Sequence, residues 1–184
     1  MEIIDVLDEN GNIIGSEDRK KVHDEGMWHI HVGIMLMNKK GEMLLQKRSI
    51  TKKANPGIWS RTGGHVNSEE TPLQGIKRET KEEIGLDINE KDIELIDVYK
   101  EEKISKGKEG VYIKNFVYNY FAYIDAKLTD CIIQREEVEE VKFITLEEME
   151  AIFNRKDENY AFIKWPNLEE QMKFFKEKRT AILK

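Results

Sequence analysis

The stretch Gly63–Leu86, "GGHVNSEETPLQGIKRETKEEIGL", decides what kind of protein this chain is. Thr71 is a good helix N-cap, Pro72 suits the first helical position, and Gln74 stands where a capping box needs it. Gly85 supplies a C-terminal stop. The spacing therefore predicts a helix over 72–84. Successive residues turn by roughly 100° on such a helix. With Glu79 at zero, Glu83 lies about 40° to one side and Glu82 about 60° to the other. Leu73, Ile76, Thr80 and Ile84 form a stripe roughly 100° away, free to face a sheet.

Three carboxylates thus share one helical edge. A solvated acidic face is the usual fate of a charge run, but local details weigh against it here. Favourable exposed helices place Glu four residues before Lys. This one sets Glu79 against Glu83 and Lys77 against Lys81, like with like. Glu82 and Glu83 also sit near the C-terminus, where the helix dipole disfavours anions. A bound divalent cation reverses each of these penalties. Hard cations such as Mg²⁺ prefer oxygen ligands and bridge carboxylates to phosphates. The Gly63-Gly64 pair just before the helix allows a backbone carbonyl to approach such a cation.

Bulk properties agree. The chain has 184 residues, 39% hydrophobic and 36% charged, with a net charge of -6. That length and composition suit one soluble globular domain. The acidic balance disfavours a nucleic-acid polymer or an anionic membrane as partner. Cys131 is the single cysteine, which excludes an intrachain disulfide and a multi-cysteine zinc site. The opening "MEIIDVLDENGN" does not read as a signal peptide, and no stretch approaches a membrane span, so a cytoplasmic protein is expected.

Elsewhere, apolar runs around Asn10-Gly11 predict a β-hairpin over about 1–18. "RKKVHDEG" suits a short helix or turn. A second hairpin is expected with strands near 29–37 and 42–48, then a short strand ending at Gly63-Gly64. Strands follow at 93–103 and 111–124, with "SKGKEG" between them, and near 138–144. Thr145 and Glu148 form a second capping box, opening a helix to about Asn154. Leu168, Met172 and Phe175 recur at helical spacing in a C-terminal helix over about 165–182. The expected class is α/β (α+β), a mixed sheet covered by helices.

Gly64–Leu86 resembles the Nudix box. That pattern runs Gly, five residues, Glu, seven residues, Arg-Glu, an aliphatic residue, any residue, Glu-Glu, any residue, Gly, aliphatic. Here Gly64, Glu70, Arg78, Glu79, Glu82, Glu83, Gly85 and Leu86 match, and Thr80 stands at the first aliphatic position. The resemblance implies a single Nudix domain over 1–184, a mixed β-sheet sandwiched between α-helices. It implies hydrolysis of a nucleoside diphosphate linked to another moiety, with Mg²⁺ or Mn²⁺, by water attacking a pyrophosphate phosphorus. Glu79, Glu82, Glu83 and the Gly63 carbonyl would hold the metal. Glu79 or Glu83 would help deprotonate water, and Arg78 and Glu70 would orient the acidic edge. Glu137 is the candidate for a further acid, which this family often takes from a later loop.

A wider stretch, His23–Val66, resembles isopentenyl-diphosphate isomerase, a Nudix-like enzyme that needs an active-site Cys and binds metal through three His and two Glu. His23, His29 and His65 fall at the His positions. Gly63 stands at the Cys position, and Lys114 and Phe116 near the Glu pair. Proton transfer on a carbon skeleton therefore lacks its thiol and its carboxylate, and the three His become candidates for substrate contact. Lys47, Arg48 and Arg61 are candidates for phosphate contact. Trp28, Trp59 and Tyr118 are candidates for stacking a base, although core packing is the commoner role for any one aromatic. The expected partner is a small nucleotide-derived molecule, with a homodimer open through the N-terminal hairpin or the C-terminal helix. A nucleotide-binding module without turnover is the remaining alternative.

Overall fold

The structure is a computed structural model that describes residues 2–104 and 112–183. The expected "SKGKEG" connection, and Val111 at the predicted start of the following strand, lie outside the described residues. Strands β1 (Ile3–Leu7) and β2 (Ile13–Asp18) form an antiparallel two-stranded sheet. Asp8 closes their turn by accepting from the backbone N–H groups of Asn10 at 2.8 Å and Asn12 at 2.9 Å. Asp18 then caps helix α1 (Arg19–Glu25) by accepting from the Lys20 N–H, which sets His23 in the helix's last turn.

Among the described residues, the larger sheet has seven strands. Strands β3 (His29–Asn38) and β4 (Met43–Arg48) pair antiparallel. Next come β5 (Trp59–Ser60), β6 (Thr62–His65), β7 (Ile93–Ile104), β8 (Tyr112–Ile124) and β9 (Val138–Ile144). The order is β5-β4-β3-β8-β7, with β6 paired to β3 and β9 paired to β4. β3 is central, and its run "HIHVGIMLMN" is buried almost throughout, as a strand covered on both faces must be. The expected short strand is two short strands, and the Gly63-Gly64 pair lies within β6 rather than ending it.

Helix α2 spans Pro72–Ile84. Its capping box is present: the Gln74 N–H donates to Thr71 Oγ1, and the Thr71 N–H donates to Gln74 Oε1. Its far end is finished by a later loop. The Ile132 N–H donates to the Ile84 carbonyl and the Gln134 N–H to the Glu83 carbonyl, each at 3.0 Å. Gly85 sits there at φ +76°, where an added Cβ would meet Ile132 atoms at 2.8–3.0 Å, so only glycine fits.

Helix α3 (Leu146–Asn154) opens on the Thr145–Glu148 capping box. The C-terminal helix α4 begins at Leu168 and ends at Ile182, later than the expected 165. Pro166 is the reason: the residue before a proline is pushed out of helical geometry, and Trp165 is extended at φ -71° and ψ 133°. A 3₁₀ turn over Ala161–Lys164 precedes it. Among the described residues, no helix is long and apolar enough to cross a membrane.

The chain resolves into two compact units. The first comprises Met1–Gly33, Gly63–Glu79 and Leu95–Tyr120. Ile4, Val6 and Val22 form one of its apolar clusters, with Met27 packed against them. The second comprises Ile34–Thr62, Thr80–Glu94 and Phe121–Lys184. Its core includes Leu36, Met43, Leu45, Leu146, Phe162 and Phe175, all essentially excluded from solvent.

Candidate functional site

In the first unit, the two glycines before α2 are in close quarters. A Cβ on Gly64 would lie 2.5 Å from Glu79 Oε1 and 2.7 Å from its Oε2. The missing side chain is the space the Glu79 carboxylate occupies. A Cβ on Gly63 would lie 2.1 Å from the Val32 carbonyl oxygen and 2.8 Å from the Gly33 Cα. No side chain fits at position 63 on this backbone, a cysteine included.

Arg78 is pinned by three partners. Its Nε donates to Glu70 Oε1 at 2.9 Å and its Nη2 to Glu70 Oε2 at 3.1 Å, a two-pronged pair. Nη1 donates to Glu79 Oε1 at 2.8 Å, and Nη2 also reaches the His65 carbonyl at 2.8 Å. The partner that four-residue spacing does not supply to Glu79 is thus its chain neighbour. Burial pushes the Glu70 carboxyl up, but the Arg78 hydrogen bond and the Asn67 N–H outweigh it and hold it below its usual range. Burial likewise pulls Arg78 down, while Glu70 and Glu79 raise it further than burial lowers it.

The same unit gathers His23, His29 and His65, with one ligand atom from each all within 4.8 Å of one another. His23 Nε2 and His65 Nε2 lie 3.0 Å apart, and the His31 ring sits 5.5 Å from that of His65. His29 Nδ1 lies 2.9 Å from the Met27 carbonyl, so that nitrogen carries the proton. Its Nε2 lone pair is buried with no hydrogen-bond partner among the described residues. Burial pushes His29 down to about 4, against the Met27 hydrogen bond, and burial drives His65 well below its ordinary value. These are neutral imidazoles. Imidazole nitrogens suit an ion of the zinc class rather than magnesium. The five-ligand set of the isomerase is not completed at the positions expected for its Glu pair: Lys114 pairs with Glu102 at 3.2 Å, and the Phe116 ring packs 5.3 Å from that of Trp28.

In the second unit, burial on α2 follows the angular order of the helical wheel. Ile76, Thr80 and Ile84 of the whole helix are fully buried; Glu83, nearest that stripe, is 4% exposed, and Glu82, on the far side, is exposed. The three carboxylates therefore share an edge but not an environment. Glu83 Oε2 accepts from Gln46 Nε2 at 2.7 Å, and Gln46 Oε1 accepts from Thr62 Oγ1 at 2.9 Å. Neither Gln46 nor Thr62 stands out in the sequence. The one local signal is a carboxamide inside the otherwise apolar start of β4, "MLLQ".

The cationic candidates are engaged. Lys47 pairs with Glu139 at 3.3 Å, and Arg48 with Glu137 at 3.7 Å. Glu137 also pairs with Lys52. The Arg61 guanidinium lies 4.1 Å from the centre of the Trp165 ring, and Lys142 lies 4.0 Å from that of Trp59. Trp28 has Lys100 at 5.3 Å from its ring centre.

Comparison with known proteins gives this arrangement its context. The NUDIX domain model matches residues 27–166. An uncharacterized Nudix hydrolase of Listeria innocua is 32% identical over 154 residues, which is 83% of this chain and 85% of that protein. Isopentenyl-diphosphate Delta-isomerase 2 of Photorhabdus laumondii is 28% identical over 163 residues, 86% of each chain. Among solved structures, DR0079 of Deinococcus radiodurans shares the fold with a TM-score of 0.66 at 21% identity, covering 94% of this chain and 98% of that one. The chain belongs to the Nudix family, and its relatives make it a Nudix pyrophosphohydrolase, an enzyme class that works with a divalent metal ion.

Proposed function

We propose that this chain hydrolyses a nucleoside diphosphate linked to another moiety, using Mg²⁺ or Mn²⁺, as one Nudix domain acting in the cytoplasm. The observation that carries the reading is the buried carboxylate of Glu83, which lies on the helix that also carries Glu79 and Glu82 and accepts a hydrogen bond from the Gln46 side-chain amide of β4. A hydrogen bond from an amide N–H favours the ionised form of a carboxylate, which is the form that ligates a cation. Oxygen ligands of this kind suit a hard divalent cation. When bound, the metal supplies charge neutralisation at the phosphoryl oxygens and a more acidic water.

The chain's own residues do the rest. Glu79, Glu82, Glu83 and the Gly63 carbonyl are the proposed ligand set. Gly64 leaves room for the Glu79 carboxylate, and Arg78, braced by Glu70, holds it in place. Glu79 or Glu83 takes the proton from the attacking water. Lys47, Arg48 and Arg61 contact phosphate by exchanging their present partners for it, and His23, His29 and His65 line the substrate's path as hydrogen-bonding groups. Glu137 is the proposed extra acid. In-line displacement needs positioning and charge neutralisation more than covalent chemistry, and this inventory supplies both.

Isomerase activity is the second reading, favoured by the retained His cluster. It is disfavoured because position 63 has no room for the thiol. One experiment separates the readings. The chain is incubated with a panel of nucleoside diphosphate derivatives and with isopentenyl diphosphate, with Mg²⁺ or Mn²⁺, and products are identified by mass spectrometry in ¹⁸O-labelled water. The expected result is label in a phosphate-containing product, abolished by chelator, with no dimethylallyl isomer. Binding of a nucleotide without turnover across the panel would overturn the hydrolase reading in favour of a sensor.

A further inference from the structure

Thr62, Gln46 and Glu83 come from β6, β4 and α2, and all three are nearly inaccessible, at 3%, 7% and 4% exposure. Their hydrogen bonds run one way. An ionised carboxylate only accepts, so Gln46 must turn its NH₂ toward Glu83. Its carbonyl oxygen then faces Thr62, whose hydroxyl supplies the donor. Reversing the amide would set its carbonyl oxygen against the carboxylate and leave two buried polar groups poorly matched. Two residues from the strands therefore take part in setting how the Glu83 carboxylate is turned.

We propose that Gln46 is a positioning residue for the metal site, fixing the Glu83 carboxylate in its ligating orientation, with Thr62 setting the direction of the Gln46 amide. The assignment rests on the hydrolase reading of the same helix. Groups that hydrogen-bond a metal ligand orient it, and their loss typically weakens metal affinity by roughly 10–100-fold. Loss of the Gln46 amide removes a hydrogen bond that orders this long side chain, so part of its orientation has to be re-established when a cation binds.

The test is a Mn²⁺ titration of the full chain followed by electron paramagnetic resonance, with Mn²⁺ alone as the probe and thermal unfolding as the control. Gln46→Met is expected to weaken Mn²⁺ binding by roughly 10–100-fold. Thr62→Val should weaken it in the same direction by less, and Thr62→Ser, which keeps the hydroxyl, should restore it. A purely structural role would lower the unfolding temperature without splitting Val from Ser in metal affinity. If Gln46→Met does not fold, the Thr62 pair decides. Equal Mn²⁺ affinity in wild type, Thr62→Val and Gln46→Met, with binding still lost in Glu83→Gln, would overturn the positioning role while leaving the hydrolase reading intact. Absence of Mn²⁺ binding in the wild type itself would overturn both.

Discussion

Both units bury ionisable side chains, and they treat them in opposite ways. In the first, His29 and His65 are surrounded by other imidazoles, and burial leaves them neutral. In the second, Glu83 is equally hidden but receives an amide N–H, a partner suited to an anion. The histidine cluster removes the charge; the Gln46 contact at Glu83 suits one. The difference teaches what each set of donors suits: neutral imidazole nitrogens a zinc-class ion, and a carboxylate oxygen a hard cation.

The contrast breaks most visibly at the carboxylates. Glu83→Gln keeps the shape and removes the charge, so the hydrolytic rate is expected to fall by more than about 100-fold, beyond the loss typical of a supporting residue. Steady-state kinetics at saturating Mg²⁺ on an active substrate measures it, and a near wild-type rate would place the metal elsewhere.

A smaller effect probes the first unit's backbone. Gly63→Cys restores the side chain that the isomerase resemblance calls for, but its Cβ would sit 2.1 Å from the Val32 carbonyl oxygen. Overpacking of this kind costs about 3 kcal/mol, read by urea unfolding. Wild-type stability in that variant would mean that β3 and β6 give way easily.

The mildest test sharpens the charge contrast itself. Burial holds the folded His29 at about 4, against its ordinary 6.5. A lowered folded value means the unfolded chain takes the proton first, so stability is full above the unfolded value and is lost as pH falls toward the folded one. Between pH 7 and pH 5 the expected loss is roughly 2 kcal/mol. Calorimetry across that range in wild type and His29→Leu checks it: the variant should give a flatter pH profile, and an equal slope would relieve His29 of the role.

How far the sequence reaches depends on the range of the interaction. The ends of α2 were legible because Thr71, Pro72, Gln74 and Gly85 act within a few residues of themselves. The start of α4 differs from the expected one because apolar spacing is silent about Pro166, whose effect falls on the residue before it. Glu79, Glu82 and Glu83 were legible as a cluster, yet their unequal burial depends on what packs beside the helix. The Thr62–Gln46–Glu83 chain joins residues 16 and 37 positions apart, and no local pattern encodes such a meeting. The Arg78–Glu79 contact escaped notice for the opposite reason, since helical rules look three and four residues away and not one.

The end of α2 is finished by Ile132 and Gln134, residues of an irregular loop far along the chain. Their amide protons are consequently reporters on a helix to which they do not belong. Slow hydrogen exchange at those two positions would follow the opening of the last turn bearing Glu82 and Glu83. A protease nick in that loop would then loosen the carboxylate edge without touching a single one of its residues.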